Sequence, residues 1–462
     1  MAVNKFLVGN GAGFSGDRVD APLPVLKTLI ASGLPSAMFF ETLGERTVAL
    51  AHLEKRRDPN AGYEPMLERL LGPILAPAKE NRIPLLGNWG AANPPAAARA
   101  VAKLAMEKGL PDLRIALVEG DDVTGLVAGG QLPVHEADAG LDMGAWKLIA
   151  ANAYIGAEPL VEALQQDADV VVAGRTSDPA LAIAPLAHHF GWRFDDWDAL
   201  ALGAATGHLL ECGSQVTGGV FWDPGFKDIP DPANIGFPIA EVTADGGLVI
   251  TKADNTGGLV DLRTIKEQLL YELHDPSHYI TPDVVLDISQ CRVEQVGKDR
   301  VALHNLRGQA RPDTLKVTAS FEGSWLGEGE VSVAGPNALA RARATADVLL
   351  ERLKVRGLDI VRARADLIGV ASVHDSDDGA LWRSYSGPEP EDIRIRLAVE
   401  AHTRDDADQA SREVLAMLCC GTAGTGGARW RVTPRILTRS HLVLRERVPT
   451  RVIVRTAKEI AG

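Results

Sequence analysis

Residues 5–18 read KFLVGNGAGFSGDR, an apolar run that breaks without transition into glycine, asparagine, serine and charge. Four later stretches repeat that grammar. Strands are expected at Lys5 to Val8, Ala37 to Glu41, Ile83 to Leu86, Arg114 to Glu119 and Asp169 to Ala173, each a short apolar run with a sharp polar end. They lead into GNGAGFSGDR, ETLGERT, GNWGAANP, EGDDV and GRTSDP respectively. Helical stretches lie between them. Pro94 and Pro95 open AAARAVAKLAMEKG, which stops at Gly109, and Ala157 to Gln166 forms a helix running into DVVVAG. Strands alternating with helices predict an α/β fold with a mostly parallel sheet and crossover helices. Ligands of such sheets lie beyond the carboxyl ends of the strands, so five polar strand ends point to one shared cleft.

The texture changes near Pro224, where FKDIPDPANIGFP forms a Pro-rich connector into β-rich alternation. The expected division is an α/β domain over 1–223, carrying the active-site loops, and a smaller α+β domain over 224–462. In the second part TLKVTASFEGSWLGEGEVSV reads as a hairpin, Asn337 to Val355 as a helix and Arg362 to Val370 as a strand. IRIRLAVEAHT, Asp405 to Met417 and TPRILTRSHLVL then read as strand, helix and strand.

The chain has 462 residues, 46% of them hydrophobic and 24% charged, which suits a folded globular protein of two or three domains. Lys plus Arg number 48 against 61 for Asp plus Glu, a net charge of −13 that repels polyphosphates and anionic lipid. Nucleic-acid and membrane partners are therefore not expected; a small-molecule substrate and a homo-oligomer are. The four cysteines, Cys212, Cys291, Cys419 and Cys420, show no CxxC pair, which suits a reducing cytoplasm. No signal peptide or membrane span is expected either.

Gly11, Gly13 and Gly16 satisfy GxGxxG after a strand, and Glu41 ends the next strand, where an acid would hold the ribose of NAD. Two features argue against a dinucleotide. Pro22 and Pro24 delay the following helix beyond the loop, and Asp17 would place a negative charge beside the phosphates. The amides of this loop, with Ser15, serve an anionic or carbonyl-bearing substrate better; the plainest reading is a tight turn that lets strand and helix pack.

Beyond these features, GNGAGFSGDR, ERTVALAHLEKRRDPNAGY, GNWGAANPPAAARAVAKLA, VEGDDV, ANAYIGAEPLVEAL, VVVAGRTSDPALAIAPLAHHFGW, GHLLECGSQVTGG and HDPSHYITPDVVLD together resemble the acyclic terpene utilisation AtuA family. The resemblance spans Val3 to Val443. It implies a place in bacterial growth on citronellol and geraniol, beside geranyl-CoA carboxylase and enoyl-CoA hydratase, and hence in acyl-CoA catabolism. It carries no catalytic residue set. Some relatives are longer, with an appended ferredoxin-like module that this chain is expected to lack.

The candidate chemistry comes from the residues themselves. Glu41, Glu45, Glu119, Asp121 and Asp122 fall at strand ends, and carboxylates gathered in a low-dielectric cleft raise one another's pKa towards that of a general base. Such a base could take an α-proton from a thioester; singly, each acid also reads as a loop or helix cap. The same oxygens could hold a divalent cation, although no ordered ligand spacing marks one. Arg175 offers a planar fork for a carboxylate or phosphate, or a salt bridge to Asp178 that fixes the turn. His208 and Cys212, four apart, would share a helix face as an activated thiolate or sit as ordinary core residues. His188 and His189 read as a helix C-terminus. GTAGTGGARWR, with Arg429 and Arg431, could close over the cleft or receive a CoA phosphate.

The expected function is an enzyme of acyl-CoA or carboxylic-acid catabolism, a lyase acting by hydration, elimination or C–C cleavage beside a carbonyl. The glycine-loop amides with Asn88 or Asn93 would polarise the oxygen, and a strand-end carboxylate would serve as base. A CoA thioester is a possible substrate, with NAD or a divalent cation the lesser alternatives. The rival readings are an NAD-linked oxidoreductase and a non-catalytic binding subunit of a carboxylase or hydratase.

Overall fold

The computed structural model describes residues 5–135 and 146–462. Its strands are β1 (Lys5–Ala12), β2 (Ser36–Phe40), β3 (Leu85–Gly87), β4 (Arg114–Glu119), β5 (Lys147–Ala153), β6 (Val170–Ala173), β7 (Pro238–Thr243) and β8 (Leu248–Lys252). They continue as β9 (Tyr279–Ile280), β10 (Val285–Asp287), β11 (Arg292–Gly297), β12 (Arg300–His304) and β13 (Arg307–Gln309). The last are β14 (Thr314–Ala334), β15 (Ile360–Ile368), β16 (Asp392–Ala401), β17 (Gly426–Leu444) and β18 (Arg451–Thr456).

One ten-stranded sheet has the order β11-β12-β8-β7-β1-β2-β3-β6-β4-β18. Its centre, β1-β2-β3-β6-β4, is wholly parallel and contains all five strands expected from sequence. β2 (SAMFF) and β6 (VVVA) are buried throughout, as strands covered on both faces must be. The helices Pro22–Ser32 and Ala180–Phe190 both pack on β1. The second is buried from Ala180 to Ala187, which explains why it is apolar all round rather than striped. Val25, Leu26, Phe40, Leu85, Trp89, Val101 and Ile115 belong to the core of this layer.

By compactness the chain forms two units. The first holds the described residues before 136, Leu148–Ser320 and Thr438–Gly462; the second holds Trp146, Lys147 and Phe321–Leu437. The sequence reading placed its division at 223/224, where the structure has a loop. Beyond that loop β7 returns antiparallel to β1, and near the C-terminus β18 pairs antiparallel with β4. The second unit is a sheet of order β15-β16-β14-β17 whose apolar face, including Val331, Leu367, Ile395 and Leu397, is covered by the helix Ala338–Arg356.

Two expectations there need correction. TLKVTASFEGSWLGEGEVSV forms no hairpin but lies within the single strand β14. Its glycines are close-approach positions rather than turns: a Cβ at Gly327 would lie 2.2 Å from the Ala407 carbonyl oxygen and one at Gly329 2.2 Å from that of Ser411. The helix expected over 405–417 is two, Arg404–Ser411 and Glu413–Cys420. Among the described residues no helix is long and apolar enough to cross a membrane.

Candidate functional site

A cavity of about 440 Å³ opens in the first unit beside the carboxyl ends of β1, β2 and β6. Its lining includes Gly13, Glu41, Glu45, Tyr154, Arg175, Asp178, Glu211 and Cys212, with Tyr271, Glu272, Tyr279 and Lys316. Arg175 anchors it. The side chain is only 3% exposed, and one guanidinium nitrogen lies 2.6 Å from Asp178 Oδ1. The guanidinium carbon sits 4.0 Å from the Tyr154 ring centroid, and Nε and Nη1 have no hydrogen-bond partner among the described residues.

The backbone that presents Arg175 is held from behind. Its amide donates to Asp121 Oδ2 at 2.9 Å, and Asn152 donates to the same oxygen at 2.8 Å. A Cβ at Gly174 would lie 2.4 Å from Asp121 Oδ1, so glycine is what allows that carboxylate to reach the Arg175 amide.

Tyr154 follows β5 directly, and its amide donates to the Lys316 carbonyl on β14 at 2.9 Å. The Lys316 ammonium lies 4.7 Å from the Tyr154 ring centroid, so the ring carries cations from two different strands' ends. Tyr154 Oη donates to Glu45 Oε1, and Lys316 Nζ approaches the same oxygen at 3.2 Å. Burial pushes the Glu45 carboxyl up, but the Tyr154 hydrogen bond and the charges of Arg175 and Lys316 outweigh it and bring the pKa down to about 2.

Glu41 behaves oppositely. Its Oε1 accepts from the Leu43 amide at 2.8 Å and from Asn88 Nδ2 at 2.9 Å. Burial raises the carboxyl above its ordinary range despite Arg175 and those two donors, and Glu211 adds to the rise. Asp178 is raised as well, by burial against the charge of Arg175 and by Glu41, Glu211 and Glu45.

The remaining sequence candidates divide plainly. Glu41, Glu45, Arg175, Asp178, Cys212 and Gly13 line the cavity. Asn88 and Asp121 are buried behind it, one hydrogen-bonded to Glu41 and the other to Arg175. Asn93 donates to the carbonyls of Pro59 and Ala61 at 2.8 and 2.7 Å, tying its loop to the segment before it, and Asp122 Oδ1 accepts the Thr124 amide at 2.9 Å in a local turn. His208 does not pair with Cys212. The helix Trp197–Leu210 ends between them, and His208 Nδ1 lies 3.5 Å from Glu211 instead. Burial and the Glu211 charge push the Cys212 thiol well above its ordinary range, the reverse of an activated thiolate. Arg429 and Arg431 lie on β17, bound to Glu330 and Glu328, so they form part of a sheet ladder. Tyr154, Glu211, Tyr279 and Lys316 went unselected from the sequence. Tyr154 had a signal, as the first residue after a strand in ANAYIG; Glu211 stood between the two residues chosen from GHLLECG.

The glycine loop is not a dinucleotide cradle. The helix begins at Pro22, well past Gly16, and the Glu41 carboxylate is engaged with Asn88 and Leu43. A Cβ at Gly11 would strike the Phe40 ring at 2.3 Å, while Gly16, at φ 85°, faces open space. Ser15 lies outside the lining of the cavity. Gly13 donates its amide to Asp17 Oδ2 at 2.9 Å, so that N–H is already committed. Its Cβ would sit 2.4 Å from the backbone carbon of Cys212. Gly13→Ala should therefore cost about 1–3 kcal/mol in stability, as overpacking does, because backbone rather than a flexible side chain must move. Urea melting measures this; an unchanged midpoint would show that the loop yields freely.

Asp121 supplies a pH signature. Burial lifts its carboxyl from 3.8 to about 6, so the folded chain holds this proton more tightly than the unfolded one. The group's contribution to stability therefore rises as pH falls from about 6 towards 3.8, by an amount of order 3 kcal/mol. Asp283, also raised to about 6 by burial, contributes with the same sign. Asp121→Asn removes one contribution of this sign, so its stability should depend less steeply on pH across that window. Chemical denaturation at a series of pH values tests it, and an unchanged slope would refute the assignment.

Comparison with known proteins bears on the whole chain. Among solved structures, a hydantoinase/carbamoylase family amidase from Burkholderia ambifaria matches with 18% identity and a TM-score of 0.14, over 27% of this chain and 29% of that one. A likeness of that size says nothing about the fold or the site. No curated protein matches the chain. The pattern of the acyclic terpene utilisation family protein AtuA matches residues 6–454, which reaches into every strand of the ten-stranded sheet and includes every residue lining the cavity. The chain therefore belongs to the acyclic terpene utilisation AtuA family.

Proposed function

We propose that the chain is a lyase of acyl-CoA catabolism that adds or removes water, or cleaves a C–C bond, beside the carbonyl of a branched or acyclic acyl group. The observation that carries this reading is the buried Arg175 guanidinium, with two nitrogens lacking a partner among the described residues, lining one cavity with the raised Glu41 carboxyl. An enolate-forming step needs a polarising donor and a proton-transfer group in one dry site. Arg175 replaces the donors expected from sequence, because Gly13, Asn88 and Asn93 spend their N–H groups within the protein.

Charge favours a thioester over a free acid. Arg175 and Lys316 are already paired, with Asp178 and Glu45, while Glu41, Glu211 and Glu272 also line the cavity. A neutral carbonyl accepts a hydrogen bond there without adding a further anion. The same reading makes the protein a cytoplasmic homo-oligomer with no nucleic-acid or membrane partner. Incubation with branched enoyl-CoA and hydroxyacyl-CoA thioesters, followed by mass spectrometry, tests the chemistry. Gain or loss of water, or release of a shorter acyl fragment, is expected; hydride transfer to added NAD, or no turnover of any thioester, would overturn it.

A further inference from the structure

Resting on the proposed hydration or elimination chemistry, we infer that Glu211 is the second proton-transfer group of the cavity, partner to Glu41, and that His208 is the residue that positions it. Both carboxylates line the same cavity. Glu211 caps the end of the helix Trp197–Leu210, with Oε1 3.5 Å from His208 Nδ1 and a buried Oε2 that has no hydrogen-bond partner among the described residues. His208 is 2% exposed, and its Nε2 faces the Leu269 carbonyl at 3.3 Å. A carbonyl only accepts, so Nε2 is the N–H, and a proton on Nδ1 makes the ring a cation against the carboxylate. Gln268 fixes the backbone of His208 by donating to its carbonyl at 3.2 Å.

The two carboxyls thus have different surroundings. Glu41 is held by two neutral donors and pushed upward by burial, which favours its protonated form. Glu211 has an imidazole beside it, and although burial opposes a charge on His208, the Glu211 carboxylate and nearby carbonyls outweigh it and raise the ring's pKa. Carboxyls in such unlike surroundings, one among neutral donors and one beside an imidazole, can divide the roles of acid and base. In elimination, Glu211 takes the proton from the carbon beside the carbonyl and the C–H electron pair becomes the double bond. The C–O bond breaks, and Glu41 gives its proton to the departing hydroxyl, which leaves as water. After elimination the proton returns from Glu211 to Glu41 through solvent; hydration is the reverse of every step, with the proton returning from Glu41 to Glu211. Asp178, Cys212, Glu272, Tyr271 and Tyr279 are the other titratable groups of this side of the cavity.

Cys212 reports on Glu211 without any substrate. Its thiol adjoins Glu211 and is pushed up by burial and by that carboxylate. Alkylation of the full-length protein by iodoacetamide, followed on the Cys212 peptide by mass spectrometry across pH, should accelerate in Glu211→Gln; an unchanged rate profile would overturn an ionised Glu211. On a thioester that the wild type turns over, Glu211→Gln should lower kcat by about 10²-fold or more at similar KM. His208→Gln should retain activity but move the basic-group limb of the pH profile to higher pH, because the carboxylate loses its cation. Wild-type kinetics in Glu211→Gln, or an unmoved limb in His208→Gln, would overturn the inference. If the wild type turns over no thioester, the proposed chemistry falls and the proton-transfer assignment falls with it; alkylation then still decides whether Glu211 is ionised.

Discussion

Arg175→Met should lower the stability of the folded chain by about 3–5 kcal/mol, the cost of removing one partner from a buried ion pair. Methionine fills much of the volume but leaves Asp178 without its 2.6 Å cation and Tyr154 without the group stacked on its ring. Glu41 and Glu45 also lose a charge that favours their ionised forms. The Asp178 side chain keeps 32% exposure, so water can take part of the load and the lower end of the range is expected. Arg175→Lys should cost less in folding, since charge is retained. It should still weaken thioester binding, because an ammonium cannot lie flat on Tyr154 and also point separate donors at Asp178 and a carbonyl. Denaturant melting of both variants, with ligand titration of the lysine variant, separates the two contributions. Wild-type stability in Arg175→Met would mean that the pair is solvated and that Arg175 is not the anchor of the cavity.

The parallel centre of the fold was legible because its signal is local. Each central strand is a short run of three to eight residues followed at once by glycine or a polar residue, and all five fall within a few residues of their expected places. The antiparallel flanks were not legible, because pairing β7 with β1, or β18 with β4, joins segments more than two hundred residues apart with no periodicity in common. In β14 glycine misled, since turn and close approach use the same residue and only the partner backbone distinguishes them. At the site, strand-end logic found Glu41, Glu45, Arg175 and Asp178. It could not separate a side chain facing the cavity from one bracing it, and hence Asn88 and Asp121 were grouped with the ligand contacts they support. Lys316 and Tyr279 come from segments outside the parallel centre, where strand-end logic does not apply, and they reach the cavity through tertiary packing.

The remaining large effect is expected from Glu41→Gln, which should reduce turnover of an active thioester by about 10²–10⁴-fold while leaving the fold intact. The substitution is close to isosteric. The amide oxygen of glutamine can keep both bonds that Oε1 now accepts, from Leu43 and Asn88, so the loop after β2 has no reason to move. What disappears is the ability to gain and lose a proton in a place where burial has raised the carboxyl's pKa. A group that acts only in the chemical step shows itself in kcat at nearly constant KM, whereas an acid holding a cofactor ribose would show itself in dinucleotide affinity. Gly13→Ala provides the contrast, because its expected damage is to folding through the backbone of Cys212 and not to proton transfer. Steady-state kinetics and melting on the two variants should therefore give opposite patterns: Glu41→Gln slow and stable, Gly13→Ala destabilised. If Glu41→Gln instead turns over at the wild-type rate, its raised carboxyl is only a buried strut for the β2 end, and proton transfer must be sought among Asp178, Glu211 and Glu272 on the other side of the cavity.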